Sequence, residues 1–131
     1  DSTRTYAISH ATDEFNQRFN ILHEAQQIAT KAVTPGVACE TIDEVARTFM
    51  AKNEIADLFI HRIGHGIGLE THEHPYMVSG NTSLLEIGYA FSIEPGFYEE
   101  GKSGARIEDI VICGEDGAIV LNNQPRELII V

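Results

Sequence analysis

Long apolar runs are missing from this sequence. Nowhere in its 131 residues do about eighteen apolar side chains follow one another, so no membrane-spanning helix is expected. Cysteine is scarce: Cys39 and Cys113 form no CxxC pair and match no zinc-finger spacing. That usage points to reduced thiols and a cytoplasmic protein. Basic charge is short as well, with 9 Lys and Arg against 20 Asp and Glu, a formal net charge of −11. Such a balance repels phosphate backbones and anionic lipid, so neither nucleic acid nor a membrane is expected as a partner. There is no opening methionine and no basic-then-apolar leader. The strand-like start "DSTRTYAI" has the look of a cut edge.

What is present suits a folded domain. The composition is 43% apolar, and no repeat, low-complexity tract or linker divides the chain; one compact unit with a core is expected. "DSTRTYAI" alternates and reads as a strand. In "ATDEFNQRFNILHEAQQIATKAVTPG", Phe15, Phe19, Leu22, Ala25, Ala29 and Val33 recur at helical spacing. Thr12 or Asp13 can cap this helix, and Pro35-Gly36 stops it. The pattern "TIDE" predicts a second helix with a capping box from Thr41 to Glu44, burying Ile42, Val45, Ala46 and Phe49. Past about residue 56 the period changes to short β-rich runs, "DLFIHRIG", "GYAFSIE", "ARIEDIVIC", "AIVLNN" and "ELIIV", with a hairpin signal at "GEDG". Helices followed by a mostly antiparallel sheet make an α+β layout.

Four of the six histidines fall within "HRIGHGIGLETHEHP", residues 61–75. His65 and His72 would share a helix face, but Gly64, Gly66 and Gly68 each cost a helix up to about 1 kcal/mol. "HEHP" is also not the HExxH of helical zinc sites. A bent strand or loop is expected, with glycine letting backbone crowd close. The segment alone leaves both a metal site and a plain polar loop open.

Carboxylates supply the context. In "YAFSIEPG", Ala90, Ser92 and Glu94 share one strand face, and Glu94 stands just before the Pro95-Gly96 turn. In "GARIEDIVIC", alternation puts Arg106, Glu108, Ile110 and Ile112 together. A glutamate among isoleucines is costly unless paired or metal-bound. An Arg106–Glu108 ion pair would satisfy it, and so would a cation shared with Glu94.

Taken together, "HRIGHGIGLETHEHPY", "SIEPGFY" and "GARIEDIVI", with "DSTRT" upstream, resemble the pita-bread metallopeptidases: prolidases (Xaa-Pro dipeptidases), aminopeptidase P and methionine aminopeptidases. The resemblance runs over the whole chain, including "HEAQQIATKAVTPG" and "PRELIIV", and "RIED" resembles the Xaa-Pro branch. It implies an α+β fold, the C-terminal part of a pita-bread (creatinase/aminopeptidase) fold, with two helices packed on a curved, mostly antiparallel sheet. Residues 1–131 would then be the C-terminal portion of a catalytic domain whose upstream half is missing. Alone, such a piece is expected to be inactive, and its exposed sheet surface to favour a homodimer.

Carried over by resemblance, the metal ligands fall on Asp1, His65, Glu94 and Glu108, with one further aspartate expected upstream. Such a set implies two divalent ions, manganese first, with cobalt, zinc or iron open. They would hold a shared hydroxide and polarise the scissile carbonyl of an Xaa-Pro peptide. His72 resembles a histidine that assists proton traffic, His61 one that contacts substrate, and Arg106 a side chain that holds the glutamates in place. His74, His10 and His23 match no role. "HEHPYMVSGN" holds no Lys or Arg, where the resemblance leads one to expect a cation for the substrate carboxylate. Two rival readings share the fold: a metal-independent C–N hydrolase similar to creatinase, and a non-catalytic pita-bread binding module. Retention of every ligand residue this stretch could carry favours the peptidase.

Overall fold

The structure, a computed structural model, describes residues 1–131. Helix α1 spans Asp13–Lys31 and begins as the sequence predicts: the Phe15 backbone N–H donates to Thr12 Oγ1 at 3.2 Å. Asp13 and Glu14 in the first turn and Lys31 in the last oppose the helix dipole. Its apolar stripe buries Phe19, Leu22, Ala25 and Ala29.

Helix α2 spans Cys39–Lys52 and corrects the expected capping box. Its N-cap is Ala38, which offers no side-chain bond. The opening amides find acceptors elsewhere: Cys39 N–H donates to Ser83 O and Glu40 N–H to Asn81 O, both at 2.9 Å. Acceptors from a tertiary neighbour let the helix start two residues before Thr41.

Nine strands follow in chain order: β1 (Tyr6–Ala7), β2 (Gly64–Gly66), β3 (Glu73–Met77), β4 (Ala90–Ile93), β5 (Gly96–Glu99), β6 (Ser103–Arg106), β7 (Asp109–Gly114), β8 (Gly117–Val120) and β9 (Ile129–Ile130). The main sheet has five antiparallel strands in the order β3-β2-β4-β7-β8. β5 and β6 form a separate antiparallel hairpin, and β1 lies parallel to β9. The "GEDG" hairpin forms as expected, with Gly114 paired to Gly117 across a two-residue turn.

Two other expectations are corrected. "DLFIHRIG" is no continuous strand: Ala56–Leu58 is a 3-10 turn, and strand geometry begins only at Gly64. The buried Asp43 carboxylate accepts the Ile63 N–H at 3.0 Å, while Arg47 donates to the carbonyls of Phe59 (2.8 Å) and His61 (2.7 Å). These side-chain partners take the place of a strand neighbour. "DSTRTYAI" is likewise broken, into a bridge from Thr3 to Glu108 and the short β1.

Both helices pack on the main sheet. Ala25 and Ala29 of α1 and Ile42, Ala46 and Met50 of α2 meet Phe91, Ile93, Val111 and Cys113 of β4 and β7 in one core. A smaller cluster of Phe19, Leu22, Phe97, Ala105 and Ile107 ties α1 to the β5–β6 hairpin. Each large apolar side chain buried this way contributes about 1.5–3 kcal/mol. The α+β layout of two helices on antiparallel sheets is therefore the observed one. No helix is long and apolar enough to cross a membrane.

Candidate metal centre

Adjacent strands deliver the acidic and imidazole side chains to one place. His65 is the middle residue of β2, Glu94 follows β4, and Glu108 immediately precedes β7. Gly66 pairs with Phe91, and Ile93 with Asp109, so the three segments lie side by side. The Asp1–Thr3 segment joins them through reciprocal backbone bonds between Thr3 and Glu108, at 3.3 and 3.1 Å.

The glycines beside His65 answer why the histidine segment is glycine-rich. A Cβ at Gly64 would lie 1.8 Å from the Ser92 carbonyl oxygen, and one at Gly66 would lie 2.2 Å from that of His74. Only glycine lets β2 fit between β3 and β4 with His65 held in the gap.

Ligand atoms of Asp1, His65 and Glu108 all lie within 4.8 Å of one another. Glu94 stands beside them, its Oε1 3.3 Å from His65 Nε2, and Asp1 Oδ2 is 3.7 Å from the same nitrogen. His65 Nδ1 is 3.0 Å from the Gly66 carbonyl oxygen, which can only accept a hydrogen bond. The tautomer this contact favours carries its proton on Nδ1 and turns Nε2 toward the carboxylates. All four residues expected as ligands are brought together. His65 and Glu108 are buried, and Asp1 is exposed. Three carboxylates around one imidazole, two members buried, fit a divalent cation better than they fit one another: burying like charges side by side is costly without a counter-ion.

Of the remaining predicted residues, His72 is exposed and stands edge-on to His65, ring centroids 4.5 Å apart. Arg106 lies between the glutamates, Nη1 4.0 Å from Glu94 Oε2 and Nε 3.7 Å from Glu108 Oε2. The Arg106–Glu108 ion pair weighed from the sequence exists, but Arg106 reaches Glu94 too. His61 sits a step farther out. Its Nδ1 faces the Arg62 carbonyl at 2.8 Å, so its Nε2 accepts from the Tyr98 hydroxyl at 3.1 Å. Burial pushes the Tyr98 hydroxyl above its ordinary range, against the pull of Arg106, so it stays protonated as a donor. His74, His10 and His23 lie outside this cluster; His74 is exposed and packs edge-on to Tyr76.

Ile107, Glu108 and Asp109 are buried in succession where the chain passes from β6 to β7. Ser92 pairs with Ile110 across the ladder and bonds Glu94, so the face of Ile110 and Ile112 that alternation assigns to Glu108 is the face of the cluster.

Several contributing residues escaped the sequence reading. Ser92 accepts the His65 backbone N–H at 3.0 Å and donates to Glu94 Oε1 at 2.9 Å. Its placement on the Glu94 face was the available signal. Thr3 donates its hydroxyl to Glu108 and accepts from Arg106 Nε at 3.0 Å. Arg4 donates to the Thr3 and Glu108 carbonyls, each at 2.8 Å, and to Asp109 Oδ1 at 2.7 Å. Fully buried Asp109 also receives Arg126 at 2.5 Å and Gln26 at 2.9 Å. No spacing in the sequence signals that node, since its members lie up to 122 positions apart.

The profile of metallopeptidase family M24 matches residues 1–115. A protein named probable dipeptidase PepE, from Mycobacterium tuberculosis, is 53% identical over 131 residues, which is 100% of this chain and 35% of that protein. An Xaa-Pro dipeptidase of Lactobacillus helveticus is 42% identical over 131 residues, again 100% of this chain and 36% of that protein. The crystal structure of dipeptidase PepE from Mycobacterium ulcerans superposes with a TM-score of 0.98 at 50% identity, covering 100% of this chain and 35% of that one. The chain thus spans about a third of the length of the relatives it matches.

Proposed function

This chain belongs to metallopeptidase family M24, and from that premise we propose that it carries the C-terminal part of the catalytic site of a metal-dependent exopeptidase hydrolysing Xaa-Pro peptide bonds. The observation that carries the reading is the convergence of Asp1, His65 and Glu108 within 4.8 Å, with Glu94 3.3 Å from His65. Family membership implies use of a divalent metal; that there are two ions, and that they are manganese, is our reading of an oxygen-rich donor set with a single nitrogen. Asp1, His65, Glu94 and Glu108 would hold them. When bound, such ions supply Lewis-acid polarisation of the scissile carbonyl and a nucleophile at neutral pH.

The chain's own residues supply the rest. A bond to proline is a tertiary amide with no N–H to offer, so recognition falls on the ring and a free terminus. Exposed and set against the ligand histidine, His72 hands a proton to the imino nitrogen as it departs. His61 and Tyr98 line the approach as a hydrogen-bonded pair, and Arg106, Thr3 and Ser92 fix the carboxylates in direction.

We read residues 1–131 as one portion of that catalytic domain, inactive by itself, within a cytoplasmic homodimer. Exposed apolar side chains along β8 and the β1–β9 pair (Ile119, Leu121, Tyr6 and Ile130) support further association of this face.

The test uses the full-length parent. Two manganese-like ions per chain together with hydrolysis of an Xaa-Pro dipeptide support the reading. A metal-free protein that hydrolyses a small guanidino compound would mean creatinase-like chemistry. A protein with neither metal nor hydrolysis would be a binding module.

A further inference from the structure

The buried carboxylate of Asp43 belongs neither to the metal cluster nor to the side chains that face a substrate. It stands one turn before Arg47 on α2, and the guanidinium grips both of its oxygens, Nε to Oδ2 at 2.7 Å and Nη2 to Oδ1 at 3.0 Å. The pair then reaches out of the helix to one short stretch of chain. Arg47 donates Nη1 to the Phe59 carbonyl at 2.8 Å and Nη2 to the His61 carbonyl at 2.7 Å, while Asp43 Oδ1 accepts the Ile63 N–H at 3.0 Å. Neither of those carbonyls accepts a backbone N–H, so the guanidinium stands in for a strand.

That stretch leads toward the centre. The guanidinium lies over the Phe59 ring, Cζ 4.1 Å from its centroid, and the Phe59 ring meets the His61 ring edge-on at 5.1 Å and 89°. On its far side His61 Nε2 accepts from the Tyr98 hydroxyl at 3.1 Å. The imidazole is thus clamped between Phe59 and Tyr98, with its own carbonyl held by Arg47. Ile63 continues the line, for its carbonyl accepts the Glu94 N–H at 2.7 Å. Ile60, in the middle of the stretch, is exposed, and a surface segment with no ladder of its own would otherwise wander. A plain surface ion pair would make none of these contacts.

Resting on the function proposed above, we propose that Asp43 and Arg47 are positioning residues for that reaction. Through the His61 carbonyl they fix the direction of an imidazole that meets the substrate, and through Ile63 they fix the backbone of Glu94. The geometry calls for arginine. A planar guanidinium spans the carboxylate and both carbonyls at once, whereas a lysine ammonium supplies the same charge from a single point and lets go of the carbonyls.

A double-mutant cycle on the metal-loaded full-length parent, read by steady-state kinetics with an Xaa-Pro dipeptide, tests this. Arg47→Lys keeps a cation beside the buried carboxylate, so the fold survives. Its kcat/KM should fall about ten- to a hundredfold, the scale of a misplacement of about 1 Å, divided between kcat and KM as in His61→Ala. Introduced into His61→Ala, the same change should cost less than about twofold, because the side chain it positions is gone. Asp43→Asn, which still offers an acceptor to the Ile63 N–H, should show the same dependence on His61 with a smaller loss. An equal fold-loss with and without His61 would overturn the assignment and leave the pair a packing device. NMR of the histidine ring nitrogens in the same parent gives a readout apart from turnover. His61 of the wild type should hold the tautomer protonated on Nδ1, which its 2.8 Å contact with the Arg62 carbonyl favours, and Arg47→Lys should mix the two tautomers. An unchanged His61 spectrum would also overturn the assignment. A parent that cleaves no Xaa-Pro bond yet shows the change at His61 would refute the activity alone.

Discussion

The Ser92 hydroxyl joins the two strands of the centre, accepting the His65 N–H at 3.0 Å and donating to Glu94 Oε1 at 2.9 Å. One side chain thereby sets the backbone of one expected ligand and the carboxylate of another. Ser92→Ala removes a buried hydrogen bond on each side, at a cost of about 1–3 kcal/mol in unfolding free energy. Metal affinity in the full-length parent should fall about ten- to a hundredfold, the usual consequence of losing a side chain that orients a ligand. Titration calorimetry with Mn2+ checks this. Unchanged affinity would make Ser92 a packing residue only.

Glu108→Gln retains the shape of the side chain and removes its charge. We expect Mn2+ binding to weaken by more than tenfold while the fold survives, because the amide can still accept from Thr3. Chelation should lower the melting temperature of the wild type and barely move that of the variant, since bound ligand stabilises the folded state by about 2.7 kcal/mol at a hundredfold excess over Kd. Equal shifts on adding chelator would place the metal elsewhere.

The Asp109 node predicts a stability defect of a different size. Asp109→Ala leaves the Arg4 and Arg126 guanidinium groups facing each other without their shared anion. Removing one member of a buried pair costs about 3–5 kcal/mol. Arg126, a quarter exposed, should cost less when changed to Met, about 1 kcal/mol after solvent screening. Urea denaturation orders the two; equal losses would contradict the central place given to Asp109.

Gly64→Ala should be among the most damaging small changes. Its methyl group would meet the Ser92 carbonyl oxygen at 1.8 Å, so β2 and β4 must part. Overpacking of this kind costs about 1–3 kcal/mol and here falls on the element that holds His65. Both melting temperature and metal affinity should drop. A variant as stable as wild type would show that the sheet yields more readily than its packing implies.

Alkaline pH should weaken the fold through its two thiols. Burial pushes Cys39 and Cys113 above their ordinary value of 9.0. Above pH 9 the unfolded chain releases these protons while the folded chain keeps them. The folded state then binds more protons than the unfolded, and stability falls as pH rises. Below that point the contribution is complete. The urea midpoint should decline from about pH 9 upward, and Cys39→Ala with Cys113→Ala should flatten the decline.

How much of this was legible in advance follows from the range over which each signal acts. The stripe from Phe19 to Ala29 and the Thr12 cap are local, set by the 3.6-residue period and one hydroxyl, so α1 could be read directly. Ser92 and Glu94 on one face, and Glu94 at a strand end, followed from strand alternation. The expected ligands Asp1, His65, Glu94 and Glu108 came from the family resemblance that the motifs carry.

Whatever depended on a distant partner could not be read from the chain. Helix α2 begins at Cys39 rather than Thr41 because Asn81 and Ser83 supply acceptors, and "DLFIHRIG" is no strand because Asp43 and Arg47 hold it. Arg62 meets Tyr76 only when β2 and β3 pair. The sequence by itself decided which side chains could bind a cation, since that is a property of the residues. Their mutual distances were decided by the tertiary structure, because strand pairing brings together side chains the chain order keeps apart.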